Sequence, residues 1–583
     1  MRHHPNRQRI ERHQSAGQPS LLSLPPLIER LYAHRGIRQP ADADLALARL
    51  PDPDRLSGME HLCEHLLAAL TQQARILIVG DYDADGATAT SVALRGLKAL
   101  GFRHVNYRVP NRFRSGYGLG PELVEMAAEA GTDWLLTVDN GMSSHEGVLA
   151  AKARGMGVLI TDHHLPGSSL PEAEAIVNPN LPGDSFPSKA LAGVGVLFYV
   201  LLGLRRRLRD RQYFVTQGIP EPVLSNLLDL VALGTVADVV PLDQTNRILV
   251  HHGLERIRSG RACPGILALI ETAGRSATEL RSSDLGYLIA PRLNAAGRLD
   301  DMSLGINCLL APTIESARPL AAELGSLNEA RRSIEMDMRR AAEAQMATLG
   351  PEEADALIPC LYQHDWHQGV VGILASRIKD RLHRPVIALA PDDQETDLLK
   401  GSARSIPGLH IRDLLADVAA AHPGLLRRFG GHAMAAGLTL SADRLRDFRA
   451  AIEEAALRRG MTRPEEKTLW SDGALSASDL STRTARQIEA AGPWGQNFPE
   501  PLFDGQFDVL AQRIVGDHHL KMTLRPQDGE NPIEAIAFQL EAPGQWLRCQ
   551  RIRAAFRLEI NSFRGRSEPQ LRIDYMEDLT EVS

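Results

Sequence analysis

The stretch Arg75-Ile76-Leu77-Ile78-Val79-Gly80-Asp81-Tyr82-Asp83-Ala84-Asp85-Gly86 decides how the rest of the chain is read. Its aliphatic run fits a strand buried on both faces, the kind found in the middle of a parallel sheet. Three carboxylates alternate immediately after that run. Ligands and metals gather beyond the carboxyl ends of such strands. Carboxylates this close repel one another unless a cation neutralises them, so a metal is their natural partner. The pattern Asp-x-Asp-x-Asp-Gly also opens a calcium-binding EF-hand loop, which needs a preceding helix and a Glu at its twelfth position. Here a strand precedes it and the twelfth position is Val92. A solvated acidic turn is the remaining bland reading.

Three further apolar runs end in the same way. Trp134–Val138 runs into Asp139-Asn140-Gly141, and Gly157–Thr161 into Asp162-His163-His164. The apolar stretch from Leu227 to Val236 runs into Ala237-Asp238 and fits either a strand or a helix, since periodicity does not separate the two. Four such ends in one α/β domain are poorly explained as caps and argue for a shared metal site.

Composition sets outer bounds. A chain of 583 residues holds three or four domains, and a 44% hydrophobic content is ample for their cores. The five cysteines are scattered, forming neither a disulfide framework nor a zinc motif, which suits a reducing cytoplasm. No apolar run approaches membrane-spanning length. Met1 to Gly17 is polar and rich in His and Arg, and reads as an unfolded extension. A net charge of −7 argues against a protein that coats nucleic acid but not against a local basic channel. Arg548 to Arg572 holds seven Arg against two Glu, which fits either such a patch or a solvated strand surface.

Residues 1–50 read as the extension plus a short helical lead-in. From 51 to 312, strands alternate with helical segments, as in a doubly wound parallel sheet. Residues 313–350 predict one long helix joining two domains. A second α/β unit over 351–462 contains the strand Pro385–Leu389. From 463 to 583, period-two alternation predicts strands over Phe507–Val515, His519–Leu524, Ile533–Phe538 and Ile552–Ile560. A small OB-type β-barrel, a common single-strand binder, fits these best.

Asp-x-Asp, a lone Asp, Asp-His-His and a later Asp, in that order, resemble the DHH phosphoesterase superfamily. Within it, the chain is most similar to the RecJ family of single-strand-specific exonucleases. Pro291–Leu299, His367–Gly372, Gly401–Ser405 and Gly430–Gly437 carry that narrower resemblance, which runs from about residue 50 almost to the C-terminus. It implies that Asp81, Asp83, Asp139, His163 and Asp238 hold two Mn2+ or Mg2+ ions, with Asp139 bridging. Oxygen-rich sites with some imidazole favour these metals. His164 is expected to face the scissile phosphate or complete one coordination shell. Asp85 and Asp162 are expected to support the ligands through hydrogen bonds. Arg292, Asn294, Arg298, Arg404, Ser405, Gly431 and His432 match the family as substrate-binding positions, although each glycine-rich loop alone reads as a plain turn. Arg112 and Arg114, near Tyr117, form a weaker basic-aromatic candidate.

The resemblance further implies stepwise hydrolysis of single-stranded DNA from the 5′ end, in recombination and repair. It implies single-strand-binding protein and a helicase as partners. Nothing in the sequence demands more than a monomer. One competing reading is another DHH phosphoesterase acting on short oligonucleotides or cyclic dinucleotides, which generally lacks the C-terminal β domain. The other is a non-catalytic DNA-binding scaffold that has lost metal ligands, whereas every ligand position is filled here.

Overall fold

The computed structural model describes residues 8–14, 24–110, 118–348, 356–393, 395, 397–462, 467–540, 542–563 and 566–580. Arg112, Arg114 and Tyr117 lie outside the described residues. The chain divides into a larger unit (residues 8–294, 302–322 and from 468 on) and a smaller one (295–301 and 323–467).

In the larger unit, β1 (Gln8–Arg12) precedes a five-stranded sheet. Its strands are β2 (Ile76–Val79), β3 (Val105–Arg108), β4 (Trp134–Val138), β5 (Gly157–Thr161) and β6 (Ala175–Val177). They lie in the order β3-β2-β4-β5-β6, and every pair is parallel. All four residues of β2 are buried, as are the last four of β4 and of β5, because helices cover the sheet. Helices α1 (Ala84–Ala99) and α2 (Gly193–Asp210) pack against it, and α3 (Leu228–Ala237) packs in turn against those two helices. The ambiguous stretch before Asp238 is thus helical. Leu228 through Thr235 are all buried, so the segment shows no polar face by which a helical period could be recognised.

Among the helices that follow are α4 (Ala290–Leu299) and α5 (Ile314–Thr348), the second of 35 residues. The smaller unit carries β7 (Cys360–Tyr362), β8 (Val386–Pro391), β9 (Leu398–Arg404), β10 (Arg428–Gly431) and β11 (Ala435–Ser441). Their order is β10-β11-β9-β8-β7, with only β7 and β8 parallel. Helix α6 (Val371–Leu382) packs on this sheet. On the other side Leu414, Val418, Phe448 and Ile452 close a core with Ile387 and Leu389.

The larger unit resumes with β12 (Lys467–Ser471), which pairs with β1. A closed barrel follows, made of β13 (Phe503–Val515), β14 (His519–Pro526), β15 (Ile533–Ala537), β16 (Arg551–Phe563) and β17 (Arg566–Asp578). Its order is β13-β14-β15-β17-β16, with β16 returning to β13 and a single parallel pair, β15 with β17. Leu520, Met522 and Leu524 point inward at period two, which is why these strands are legible in the sequence.

One sequence expectation needs correction, and one reading left open gains detail. The N-terminal region is not merely an extension. Ile10 of β1 packs with Leu502 and Ala555, and Arg12 donates two hydrogen bonds to Asp504, at 2.8 and 2.9 Å. The helix Pro26–His34 is held by Asp472, which accepts from Arg35 at 2.9 and 3.0 Å and contacts His34 at 2.8 Å. The arginine-rich stretch is largely neutralised. Arg551 meets Asp508, Arg557 meets Asp574 and Glu500 at 2.9 and 3.0 Å, and Arg572 meets Glu559 and Glu500 at 3.0 and 3.2 Å. Most of these acids come from neighbouring strands or from the chain before the barrel, so a count along the segment misses them. Among the described residues, no helix is long and apolar enough to cross a membrane.

Candidate metal centre

Asp81 follows β2, and Asp83 forms the N-cap of α1, its Oδ1 accepting from the Gly86 amide at 3.0 Å. Gly86 is required here, since a Cβ would lie 2.6 Å from both the Cβ and the carbonyl oxygen of Asp81. Asp139 follows β4 with φ +62°, a left-handed conformation that costs a non-glycine residue about 1 kcal/mol or more. Gly193, at the start of α2, lets that helix approach, because a Cβ there would overlap the Asp139 carboxyl. Asp162, His163 and His164 follow β5. Asp238 is the C-cap of α3, and the β-branched Val239 after it takes φ +60°. Two strained residues therefore mark this place, one of them a proposed ligand and the other adjacent to one.

Three groups of potential ligand atoms lie within 4.8 Å of one another: Asp81, Asp83 and Asp139; Asp139, His163 and His164; Asp85, His163 and Asp238. Asp139 is the carboxylate that two of these groups share. Nε2 of His163 lies 3.2 Å from Asp139 Oδ1 and 3.5 Å from Asp238 Oδ2. It is buried and, among the described residues, forms no hydrogen bond. A buried imidazole nitrogen facing carboxylates without bonding to them suits coordination of a cation.

The electrostatics agree. Burial pushes the Asp139 carboxyl well above its usual range, and Asp85, Asp83, Asp81 and Asp238 add to the shift. Burial first, then neighbouring carboxylates, raise Asp85 and Asp238 to about 7. Burial and then the charge of His164 lower the pKa of His163, favouring the neutral imidazole a metal requires. These donors, four carboxylates and an imidazole nitrogen gathered in one place, fit a pair of hard divalent cations.

Asp162 is built differently. Its Oδ1 accepts from the amides of His163 and His164 at 2.7 and 3.0 Å and contacts His164 Nδ1 at 2.7 Å, while Oδ2 accepts from the Met142 amide at 2.9 Å. Burial is the largest single influence and opposes its ionisation, but the hydrogen bond from the His164 ring, the charges of His164 and His163 and the His164 amide together hold the carboxyl at about 2. Burial likewise opposes protonation of His164, yet the bond to Asp162 raises it to about 9. Asp85 accepts from the amides of Gly193 and Val194 at 2.6 and 3.0 Å, which fixes the start of α2 beside Asp139.

The structure thus brings together Asp81, Asp83, Asp139, His163, His164 and Asp238, with Asp85 and Asp162 beside them. The substrate-binding positions divide. In the larger unit, Asn294 Oδ1 accepts from the Ala84 amide at 2.8 Å, so it steadies the ligand-bearing turn where substrate contact is expected. Arg292 donates to the Leu288 carbonyl. In the smaller unit, Arg298 donates to the Gly369 carbonyl at 3.1 Å. The Arg404 guanidinium contacts Ser402 Oγ at 2.8 Å and lies over the first turn of α6, where a Cβ on Gly372 would meet it at 2.8 Å. Gly431 has φ +139° and no room for a Cβ beside Ala435 and Ala436, and His432 is exposed just after it. Ser405 departs from expectation. It is buried, and its hydroxyl donates to the Leu409 carbonyl at 2.8 Å, so it shapes its loop and does not face a ligand.

Sequence reasoning assigns no role to Asn140. Its Nδ2 donates to the carbonyls of Val79 and Val138, both at 2.9 Å, tying the ends of β2 and β4 together. Its place between Asp139 and Gly141 was the available signal.

Residues 75–235 match the N-terminal domain of the DHH family, 354–457 the DHHA1 domain, and 471–575 the RecJ OB domain. The chain is 50% identical over 560 residues to the single-stranded-DNA-specific exonuclease RecJ of Dickeya dadantii, covering 95% of this chain and 96% of that protein. It is 49% identical over 557 residues to the enzyme of the same name in Escherichia coli, covering 94% and 96%. The crystal structure of RecJ from Thermus thermophilus in complex with Mn2+ superposes with a TM-score of 0.79 at 31% identity, covering 96% of this chain and 76% of that one. A second structure of that protein, with Mg2+, gives 0.73 at 29% identity, covering 96% and 75%. A metal-ready cluster at the ends of parallel strands and three family domains in the RecJ order make this chain a member of the RecJ family, within the DHH superfamily.

Proposed function

We propose that the chain is a metal-dependent exonuclease that hydrolyses single-stranded DNA stepwise from its 5′ end in recombination and repair. The observation that carries this reading is the cluster of Asp81, Asp83, Asp139, His163 and Asp238, in a chain half identical to single-stranded-DNA-specific exonucleases over almost its full length. The direction of digestion rests on the family resemblance alone.

The five residues would hold two Mn2+ or Mg2+ ions, with Asp139 shared between them. When bound, such a pair activates a water and neutralises charge on the leaving oxygen. The chain's own groups do the rest. Asp162 fixes the backbone and ring of His164, so that its imidazole is held beside the cluster where it could meet an anionic phosphate. Asp85 and Asn294 hold the two helix starts that carry or flank the ligands. Arg292, Arg298, Arg404, Gly431 and His432 would grip the DNA backbone. Arg404, beside the first turn of α6, is our candidate for the 5′-terminal phosphate.

The barrel supplies a further contact surface. Arg513, Lys521 and Ile536 are cross-strand neighbours on its outer face, and Val515 faces His519 beside them. The Phe538 ring lies 5.2 Å from that of His519 and is half exposed. This patch of basic and aromatic groups spans the first three barrel strands and so includes the strand two and three face by which OB barrels usually bind single strands. This domain disfavours an enzyme of short oligonucleotides. We further place the protein in the cytoplasm as a monomer working with single-strand-binding protein and a helicase.

The test is digestion of 5′-labelled and 3′-labelled single strands with manganese, magnesium or chelator. Release of a labelled mononucleotide first from the 5′ end, faster on phosphorylated ends and absent with chelator, is expected. Intact single strands in manganese would overturn the reading.

A further inference from the structure

Residues 281–294 form a track through the larger unit. At one end Arg281 meets Glu489 at 3.3 Å and Glu559 of β16 at 3.7 Å, and the Ser282 hydroxyl donates to the Trp494 carbonyl at 2.7 Å. That end is docked on the C-terminal region. At the other end Asn294 receives the Ala84 amide, directly beside the metal turn. Between them, Gly286 sits against Val236, two residues before Asp238, where a Cβ would lie 3.3 Å from the valine methyl. The track therefore touches the barrel, the helix that carries Asp238 and the turn that carries Asp83.

Its middle, Leu285–Ile289, is the one π-helical turn among the described residues. Such turns cost helical regularity and recur at functional sites because they redirect a side chain. Here Leu285 and Ile289 turn inward, while Tyr287 is 78% exposed. It is far more exposed than Trp470 and Phe538, both at 51%. A ring this open contributes little to the core and leaves its face available to a ligand. Seven residues separate Tyr287 from Asn294, about 10 Å along a helix axis. That distance corresponds to roughly three stacked nucleotides.

We propose that Tyr287 is a stacking platform for a nucleobase about three nucleotides from the scissile phosphate, on the track that joins the barrel to the metal centre. This rests on the single-strand nuclease reading above. A face of the ring accepts any base, so the contact holds the strand without reading sequence. Tyr287 is a positioning residue, since it acts on a base and not on the reacting atoms.

The experiment compares wild type, Y287A, Y287F and Y287W in manganese, on an ordinary strand and on one with a run of abasic sites beginning at the second nucleotide. Release of the first nucleotide is followed. On ordinary DNA, Y287A should lose about tenfold in kcat/KM, mostly through KM. Y287F and Y287W should stay close to wild type, and thermal stability should be unchanged. On abasic DNA the gap between wild type and Y287A should close. Equal rates for wild type and Y287A on ordinary DNA, or the same loss on both strands, would overturn the proposal while leaving the nuclease reading intact. A wild type that leaves both strands whole would instead remove the nuclease reading, and this inference with it.

Discussion

Replacing Asp162 with Asn tests whether the Asp-His-His segment is held by one carboxylate. The change keeps shape and volume but removes the charge and turns one acceptor into a donor. In the wild type both oxygens accept, from the amides of Met142, His163 and His164 and from the His164 ring. The amide group must therefore set its NH2 against at least one N–H, at a cost of about 1–3 kcal/mol. An independent measure comes from ionisation. The carboxyl stands at about 2 against an ordinary 3.8, which corresponds to roughly 2.5 kcal/mol of preference for the charged form. The two figures describe the same interactions, so we expect a local loss of about 3 kcal/mol.

That loss should appear where Asp162 acts. Amide hydrogen exchange at Met142, His163 and His164 should speed up by roughly 100-fold at neutral pH. Manganese affinity should fall roughly 10- to 100-fold, as for other groups that orient metal ligands. The sign of the pH effect is fixed. A depressed folded-state pKa stabilises above the ordinary value and loses that stabilisation as pH falls from about 4 toward 2. The difference between wild type and variant should shrink over that range. Unchanged exchange at these three amides, together with unchanged manganese affinity, would refute the reasoning.

Asp139→Ala should abolish hydrolysis while the fold persists, because it removes the carboxylate common to two ligand groups; near-normal turnover in saturating manganese would sink the assignment. Thermal stabilisation by manganese should be larger at pH 8 than at pH 6. Asp85 and Asp238, raised to about 7, keep protons in the metal-free folded state that the unfolded chain gives up near 3.8, so metal-free stability falls as pH rises through this window and the ions take the protons' place. A manganese shift that is equal at both pH values, or larger at pH 6, contradicts this. On the barrel, R513A combined with K521A should reduce the salt-dependence slope of single-strand binding by about 1.4, from two lost phosphate contacts. Turnover at saturating DNA should survive, and an unchanged slope would move the binding face elsewhere. Point variants suit this question better than truncation near residue 465, which would strip β12 from β1 and Asp472 from Arg35.

The clustering of the candidate ligands was legible because each follows the end of an apolar run, and a buried segment cannot continue through a charge. The barrel strands were legible for a related reason, since inward and outward residues alternate along Leu520, Met522 and Leu524. What stayed hidden depends on partners distant in sequence. Gln8–Arg12 looks solvated until β12 and Asp504 are placed beside it. Arg557 and Arg572 look like free cations until Glu500, Glu559 and Asp574 are placed beside them. The segment Leu228–Ala237 was ambiguous because it is buried on every side, which erases the difference between the two periods. Ser405 and Asn294 match the family's substrate loops in sequence, yet their side chains serve the backbone at Leu409 and Ala84.

The bond of Asn294 bears on how the cluster is braced. Like charges at Asp81, Asp83, Asp139 and Asp238 would spread the turns that carry them. The groups that resist such spreading bond to backbone rather than to ligand side chains. Asn294 holds the Ala84 amide, Asp85 those of Gly193 and Val194, and Asn140 the carbonyls of Val79 and Val138. Each link joins two elements, so displacing one ligand-bearing turn strains a neighbour. The left-handed Asp139 and Val239 persist in that frame because their surroundings leave no relaxed alternative. These links run through backbone groups, so the placement of the turns does not rest on the candidate ligand side chains alone.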